Sequence, residues 1–331
     1  MKGIVYERYG PPEVLQLREV EKPAPKNNEV LIRTHAATVT SGDCRVRSLN
    51  VPSGFRLLTR LAFGISRPKQ PILGSELAGV IDAVGKDVSR FKPSDEVFAS
   101  SDTAMGCHAE YKCMAEDGAV APKPSTLTFE EAAALSSGGT TALDFLRRAK
   151  VQRGESVLVI GASGAVGAAA VQLARHFGAI VTGVCSTANV ELVRSLGTTQ
   201  VIDYTRQDFT RDGEIYDVIV DTVGTTPISR RVASLKDGGR LLMIVAGLPD
   251  MLRGLWVSMT SGKKVIAGPA TVRVADLQLL AELAEAGEFK PVIDRRYPFE
   301  QTAEAHRYVD TGRKKGNVVI TFELGARTPE P

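Results

Sequence analysis

The spacing of apolar residues changes character near residue 126. Up to that point they fall in short runs separated by turn residues, as in Glu29-Val30-Leu31-Ile32-Arg33-Thr34 and Ala78-Gly79-Val80-Ile81-Asp82-Ala83-Val84-Gly85. Pro23 and Pro25, then Pro122 and Pro124, mark joints, and the pattern predicts an all-β, barrel-like domain. Beyond it, Thr128-Phe129-Glu130-Glu131 opens a helix with Thr128 as its cap. Apolar strands predicted at 157–160, 180–185, 200–203, 217–221 and 240–245 then alternate with helices, the order of a doubly wound parallel sheet in an α/β fold. Leu277 to Ala286 reads as an amphipathic helix ending at Gly287, and Asn317 to Phe322 as a strand returning to the first domain. The expected division is 1–125 with 270–324, then 126–269, leaving 325–331 as a disordered tail.

One junction in this pattern carries chemistry. The run Val157-Leu158-Val159-Ile160 feeds Gly161-Ala162-Ser163-Gly164-Ala165-Val166-Gly167, and a small-residue helix from Ala168 to Phe177 follows. A strand, a glycine turn and a helix in succession form a dinucleotide-binding unit. Gly164 lets backbone approach a pyrophosphate, Gly167 lets helix and strand pack closely, and free N–H groups at the helix start face the anion. Ala162 stands where the usual pattern has its first glycine.

The second strand of such a unit ends, for NAD, in a carboxylate that binds the ribose 2′-hydroxyl. Here Ile180 to Cys185 is followed by Ser186-Thr187-Ala188-Asn189, with no acidic residue before Glu191. Without that carboxylate a 2′-phosphate is not repelled, and Ser186, Thr187 and Asn189 offer it hydrogen bonds, so NADP(H) is expected. Tyr204 and Arg206 are candidates at the adenosine end.

Composition narrows the setting. The 331 residues suit about two domains. A net charge of +3 from 41 basic and 38 acidic residues supplies no basic stripe for nucleic acid or membrane. Cys44, Cys107, Cys113 and Cys185 lack paired spacing, so neither a disulfide framework nor a zinc knuckle is indicated. Met1-Lys2-Gly3-Ile4-Val5 begins as a strand without a signal-peptide core, and a reducing, cytoplasmic setting is expected.

Further motifs are Pro71-Ile72-Leu73-Gly74-Ser75-Glu76-Leu77-Ala78-Gly79-Val80, Phe91-Lys92-Pro93-Ser94-Asp95-Glu96-Val97-Phe98, Glu110-Tyr111, Gly138-Gly139-Thr140-Thr141-Ala142 and Lys315-Gly316-Asn317-Val318. With the glycine turn, they give the chain a resemblance, over almost its whole length, to the zinc-independent quinone oxidoreductase branch of the medium-chain dehydrogenase/reductase family. The resemblance implies a GroES-like catalytic domain completed by the C-terminus, beside a Rossmann domain, with the cofactor between them. Zinc alcohol dehydrogenases of that family take ligands from a C-x-x-D and a G-H-E motif. The matching residues here are Thr40-Ser41-Gly42-Asp43 and Gly74-Ser75-Glu76, and neutral hydroxyls do not build a tetrahedral zinc site. No metal is expected.

Without a Lewis acid, acceptors that delocalise the incoming charge are favoured: quinones and α,β-unsaturated carbonyls, as small apolar or aromatic substrates. Thr40, Asp43 and Arg47 match an N-x-x-D-x-x-x-R motif of such reductases, with Thr for Asn. Arg47 either orients a carbonyl oxygen or pairs with Asp43. Ser75 is a substrate-facing donor or a turn serine, and Thr141 a nicotinamide contact or a helix cap. Ala246 and Gly247 are expected beside the nicotinamide, and Asn317 near the cofactor. Phe55, Leu58 and Phe63, on a helix over the opening, either line an apolar pocket or pack as core. His35, His176 and His306 read as structural. Two other functions remain: a zinc-independent NADP-dependent alcohol or carbonyl dehydrogenase, and a non-catalytic NADPH-binding protein. A homodimer through the edge near Val265-Ile266-Ala267 is implied by the resemblance alone.

Overall fold

The computed structural model describes residues 1–211 and 213–323; the expected tail at 325–331 lies outside them. β1 (Lys2–Val5) and β2 (Gln16–Glu19) form an antiparallel pair. The first large sheet gathers β3 (Glu29–Val39), β4 (Glu76–Val84), β5 (Glu96–Ser100), β6 (Tyr111–Ala115) and β7 (Val120–Pro122). Between β3 and β4 lie α1 (Ser41–Ser48) and α2 (Arg56–Phe63). A core of Ile4, Tyr6, Val30, Ile32, Leu73, Leu77 and Ile81 fills this part of the molecule.

The second sheet is parallel. α3 (Phe129–Ala133) and α4 (Ser136–Ala149) lead into it, and Thr128 caps α3 in a reciprocal box: its hydroxyl accepts the Glu131 N–H while the Glu131 carboxylate accepts the Thr128 N–H. β8 (Ser156–Ile160), β9 (Ile180–Cys185), β10 (Gln200–Asp203), β11 (Tyr216–Asp221), β12 (Leu235–Met243) and β13 (Lys264–Ala267) lie in the spatial order β10-β9-β8-β11-β12-β13. The order reverses between β8 and β11, and ligands of such sheets bind outside the strand ends at that reversal. Strand alternation sends Val157 and Val159 into one core and Leu158 and Ile160 into another. Helices α5 (Ala165–His176), α6 (Val190–Ser195), α7 (Ile228–Ala233), α8 (Leu248–Thr260) and α9 (Val274–Glu285) accompany this half.

β14 (Ile293–Pro298), α10 (Thr302–Asp310) and β15 (Asn317–Thr321) then rejoin the first sheet, where Val318 to Thr321 pair antiparallel with Val39 to Ala36. Several boundaries differ from the sequence reading, two of them for a definite local reason. β12 starts at Leu235 rather than 240, because Leu235 already pairs with Tyr216 before a register shift and a left-handed Gly238 (φ 72°). α5 starts at Ala165, three residues early, so Val166 and Gly167 belong to its first turn. Among the described residues, no helix is long and apolar enough to cross a membrane.

α5 sits against β8 as closely as backbone allows. A Cβ on Gly167 would collide with the Gly161 carbonyl oxygen, and one on Gly138 would press on the Ala165 carbonyl from α4. Gly167→Ala is therefore expected to cost about 1–3 kcal/mol through overpacking, read as a lowered midpoint in thermal or urea denaturation.

Candidate active site

The turn after β8 is held from three sides. The N–H groups of Gly161 and Ala162 both donate to Val184 O (3.1 and 3.0 Å), and Gly164 N–H donates to Gly161 O (3.0 Å). The Thr222 hydroxyl donates to Ile160 O (2.9 Å). From the far end of the chain, Gly316 N–H donates to Ser163 O (2.7 Å), and Gly316 forms a bridge with Gly164. Gly164 caps α5 without a side-chain hydrogen bond, and the space where its Cβ would stand meets only Gly161 O, at 3.5 Å. An open backbone face beside a helix N-terminus suits a pyrophosphate.

At the end of β9, Asn189 Nδ2 donates to Ser163 Oγ (3.1 Å) and Ser186 Oγ (3.3 Å), while its buried Oδ1 has no partner among the described residues. Thr187 is committed elsewhere: its hydroxyl donates to Asp203 Oδ2 (2.6 Å). Asp203 closes β10 in register with Cys185, so a carboxylate does reach this turn from a strand seventeen residues on. Thr205 donates to its other oxygen (2.7 Å) and Arg206 Nε stands 3.6 Å away; these hydrogen bonds hold Asp203 below its ordinary pKa. Tyr204 is exposed, with its N–H bound to Cys185 O.

Thr141 is half-buried on the second turn of α4, and the neighbouring Thr140 hydroxyl bonds back to Ser136 O (2.8 Å). The cap position is Leu135, so the helix-cap reading of Thr141 fails. Gly247 caps α8 and presses on Ser53, whose carbonyl accepts the Leu248 N–H (2.8 Å); Ala246 packs into the core beside it. Asn317 is buried with its Nδ2 on Val292 O (3.1 Å), one residue beyond the contact with the glycine turn. Beyond β11, a cavity of about 340 Å³ opens between Gly224, Thr226, Arg231 and the α8 residues Asp250 and Arg253. Buried Arg231 pairs there with Asp221 (2.5 Å).

In the first sheet, Thr40 and Asp43 form a capping box on α1. The Asp43 carboxylate accepts the Thr40 N–H (2.7 Å), the Thr40 hydroxyl (2.6 Å) and the Gly74 N–H (3.2 Å), and is fully buried. Arg47 fits neither expectation. It is 1% exposed, pairs with Asp310 of α10 (2.5 Å) and donates to Gly10 O (3.1 Å), which turns it away from both Asp43 and any acceptor. Ser75 is half-buried, its hydroxyl without a partner among the described residues. Phe55, Leu58 and Phe63 do not form one wall. Residues five apart on a helix point about 140° apart, so Phe63 packs inward on the first-sheet core while Leu58 is 54% exposed.

Sequence reading passed over Glu76 and Lys314. Glu76 is fully buried at the seam, accepting from the Thr38 hydroxyl of β3 and the Ser137 N–H of α4. Burial pushes its carboxyl up to about 7, against those hydrogen bonds and the Lys314 charge. Lys314 donates to Gly316 O (2.6 Å), and burial lowers its pKa in turn. The Glu76 signal lay in the Gly74-Ser75-Glu76 triplet. Deeper in, Cys44 Sγ meets His306 Nδ1 (3.3 Å), and the His306 and His108 rings stand edge-to-face; burial lowers both histidines. Cys107 lies on Ser101 Oγ (3.3 Å). Among the described residues, no three His, Cys, Asp or Glu side chains are grouped to hold a metal ion.

A GroES-like sheet joined to a Rossmann sheet, with the glycine turn at their junction, defines a two-domain oxidoreductase of the nicotinamide type. Residues 26–125 match the alcohol dehydrogenase GroES-like domain and residues 196–320 the zinc-binding dehydrogenase domain. The chain belongs to the medium-chain dehydrogenase/reductase family. It is 33% identical over 332 residues to the 2-methylene-furan-3-one reductase of Solanum lycopersicum, covering 97% of this chain and 79% of that one. It is 32% identical, with the same coverage, to the chloroplastic NADPH-dependent alkenal/one oxidoreductase of Arabidopsis thaliana. The solved quinone oxidoreductase of Coxiella burnetii superimposes with a TM-score of 0.87 at 28% identity, over 98% of this chain and 99% of that one. Despite the name of the second matching domain, residues 196–320 contain no cysteine and a single histidine, His306.

The raised Glu76 carboxyl has a pH consequence. Between its ordinary value near 4.5 and about 7 the native state keeps a proton that the unfolded chain has released. Stability from this group therefore falls as pH rises through that window. Glu76→Gln is expected to flatten the dependence, shrinking the difference between urea-derived stabilities at pH 5 and pH 7.5 by about 1–3 kcal/mol.

Proposed function

We propose that this protein reduces quinones or α,β-unsaturated carbonyls with NADPH. The observation that carries the reading is the cradle at 161–167: an open Gly164 face and uncapped α5 N–H groups, with the Asn189 Oδ1, unpartnered among the described residues, beside Ser163. When bound, NADPH would supply a hydride, and with a proton from water the acceptor would leave as a hydroquinone or saturated carbonyl. The chain's part is to hold two flat rings at reacting distance and to meet the charge that develops on oxygen.

Ser75 is the hydroxyl suited to that second task. Thr40 spends its hydroxyl on Asp43, whereas Ser75 has no competing partner among the described residues. Thr40 and Asp43 instead fix the Gly74 backbone that carries Ser75. Hydroxyl side chains do not replace a Lewis acid, which favours acceptors that delocalise charge themselves. This agrees with relatives named for enone reduction. For the cofactor, Ser186 supplies an uncharged hydroxyl where NAD enzymes use a carboxylate, while Asn189 spends its N–H groups on Ser163 and Ser186 and offers its Oδ1 as an acceptor; Arg206 is an exposed cation 3.6 Å from Asp203. Thr141, Ala246 and Gly247 stand at the nicotinamide end, and Asn317 beside the pyrophosphate turn.

Steady-state oxidation of NADPH and NADH against a panel of quinones, enones and aldehydes tests this. NADPH is expected to exceed NADH by at least about tenfold in kcat/KM, roughly 1.4 kcal/mol of discrimination, with quinones or enones preferred. Ser186→Asp is expected to narrow or invert that ratio. Gly164→Ala, which meets no close neighbour, is expected to weaken dinucleotide binding while leaving the melting temperature nearly unchanged. Turnover confined to simple alcohols and aldehydes would sink the acceptor assignment.

A further inference from the structure

The cavity beyond β11 is lined by none of the residues assigned above to the cofactor or the acceptor. Its walls carry two guanidiniums (Arg231, Arg253), one carboxylate (Asp250) and three hydroxyls (Thr225, Thr226, Ser229). At about 340 Å³ it has the size of a site for a small metabolite.

Arg231 decides what the cavity suits. Its side chain is 2% exposed, and its Nε has no partner among the described residues. Arg47, Arg60 and Arg240 also carry an orphaned buried nitrogen, but none of them borders this cavity. Asp221 shows how the orphan arises. One of its oxygens accepts the Val223 and Gly224 N–H groups (2.8 and 2.9 Å), and the other accepts from Arg231 Nη1 (2.5 Å). That bond holds the guanidinium by one corner and leaves its Nε edge without an acceptor. A buried donor in this state costs free energy until something accepts from it. The Nε edge is also the one through which an arginine grips an oxyanion at two points.

Charge narrows the ligand further. Asp221 already neutralises Arg231, so the attraction for an anion must come from Arg253. The Arg253 side chain is 69% exposed and stands 3.5 Å from Asp250. Exposed pairs of this kind contribute little, so Arg253 is free to turn to a ligand. Its departure releases the Asp250 carboxylate, which accepts hydrogen bonds and repels a second negative charge. A bare anion meets that repulsion, whereas an anion carrying hydroxyl groups uses the same carboxylate as an acceptor. We propose that this cavity binds a small hydroxylated anion, its phosphate or carboxylate on Arg231 and Arg253 and its hydroxyls on Asp250 and Ser229. The site stands apart from the dinucleotide cradle and does not depend on the hydride-transfer reading.

Isothermal titration of the purified protein with two pairs of probes tests this: glycerol 3-phosphate against inorganic phosphate, and malate against succinate. One hydroxylated probe is expected to bind with a Kd of about 1 mM or tighter, and at least about tenfold tighter than its unhydroxylated counterpart. Which pair responds tells a phosphate ester from a carboxylate. Replacing Arg231 would strand the buried Asp221 carboxylate, so the variants are made at exposed or half-buried positions instead. Arg253→Gln is expected to weaken the hydroxylated probe about tenfold. Asp250→Ala is expected to erase its advantage over the counterpart. Both variants should keep the wild-type melting temperature, which separates loss of binding from loss of fold. Saturating NADPH should leave the probe bound. Absence of binding by both hydroxylated probes overturns the proposal, as does an affinity indifferent to Arg253→Gln. Displacement by NADPH overturns it too, because the cavity would then belong to the cofactor cleft. Failure of NADPH itself to bind counts against the proposed reduction and leaves the probe titrations to decide this site.

Discussion

The contact between Gly167 of α5 and the carbonyl of Gly161 sets the geometry on which the remaining chemistry depends. Because no side chain intervenes, the helix start is brought down onto the end of β8, and the intervening residues have no route except the tight turn that exposes the Gly164 backbone. From there the constraints spread outward. Val184 holds the turn to β9, Thr222 to β11, and Gly316 to the strand that belongs to the other sheet. A larger residue at 167 would disturb three strands and both halves of the molecule. The small residues of α5, Ala168 to Ala170 and Ala174, extend the same close approach down the helix.

The seam between the halves is costly in another way. Glu76, Lys314, His108 and His306 are ionisable groups whose charges are disfavoured by burial. The Glu76 carboxylate links β4 to the Thr38 hydroxyl of its neighbour β3 and to the Ser137 N–H of α4, at the position where the family's zinc enzymes carry the G-H-E motif. Asp43 does comparable work inside the first sheet, holding the start of α1 and the backbone before Ser75 together. The hydroxyl at 75 stands on a support made of buried carboxylates rather than on a metal-binding set.

Much of this was legible in the sequence where signals are local. The period change near residue 126, the parallel strands, the Thr128 cap and the glycine turn each depend on neighbours within a few positions. What escaped depends on distant partners. Arg47 read either as a group orienting a carbonyl oxygen or as the partner of Asp43 four residues away on one helix, but Asp310, on a helix 263 residues later, captured it. The empty carboxylate position after β9 read as uncharged, yet Asp203 arrives beside it through strand register. Phe55, Leu58 and Phe63 were grouped by proximity in sequence, while helix geometry sends Phe63 inward and Leu58 out.

The bond from Gly316 to Ser163 also bears on how the protein is made. The nucleotide turn is synthesised near the middle of the chain, yet one of its three supports arrives with the final strand. During translation, the second sheet can assemble its strands while that turn still lacks the Gly316 clamp and the first sheet still lacks β15. Competence to hold the cofactor is then a late event, coupled to closure of the whole molecule. Truncation of the last strand would reach the glycine turn as directly as damage to the turn itself.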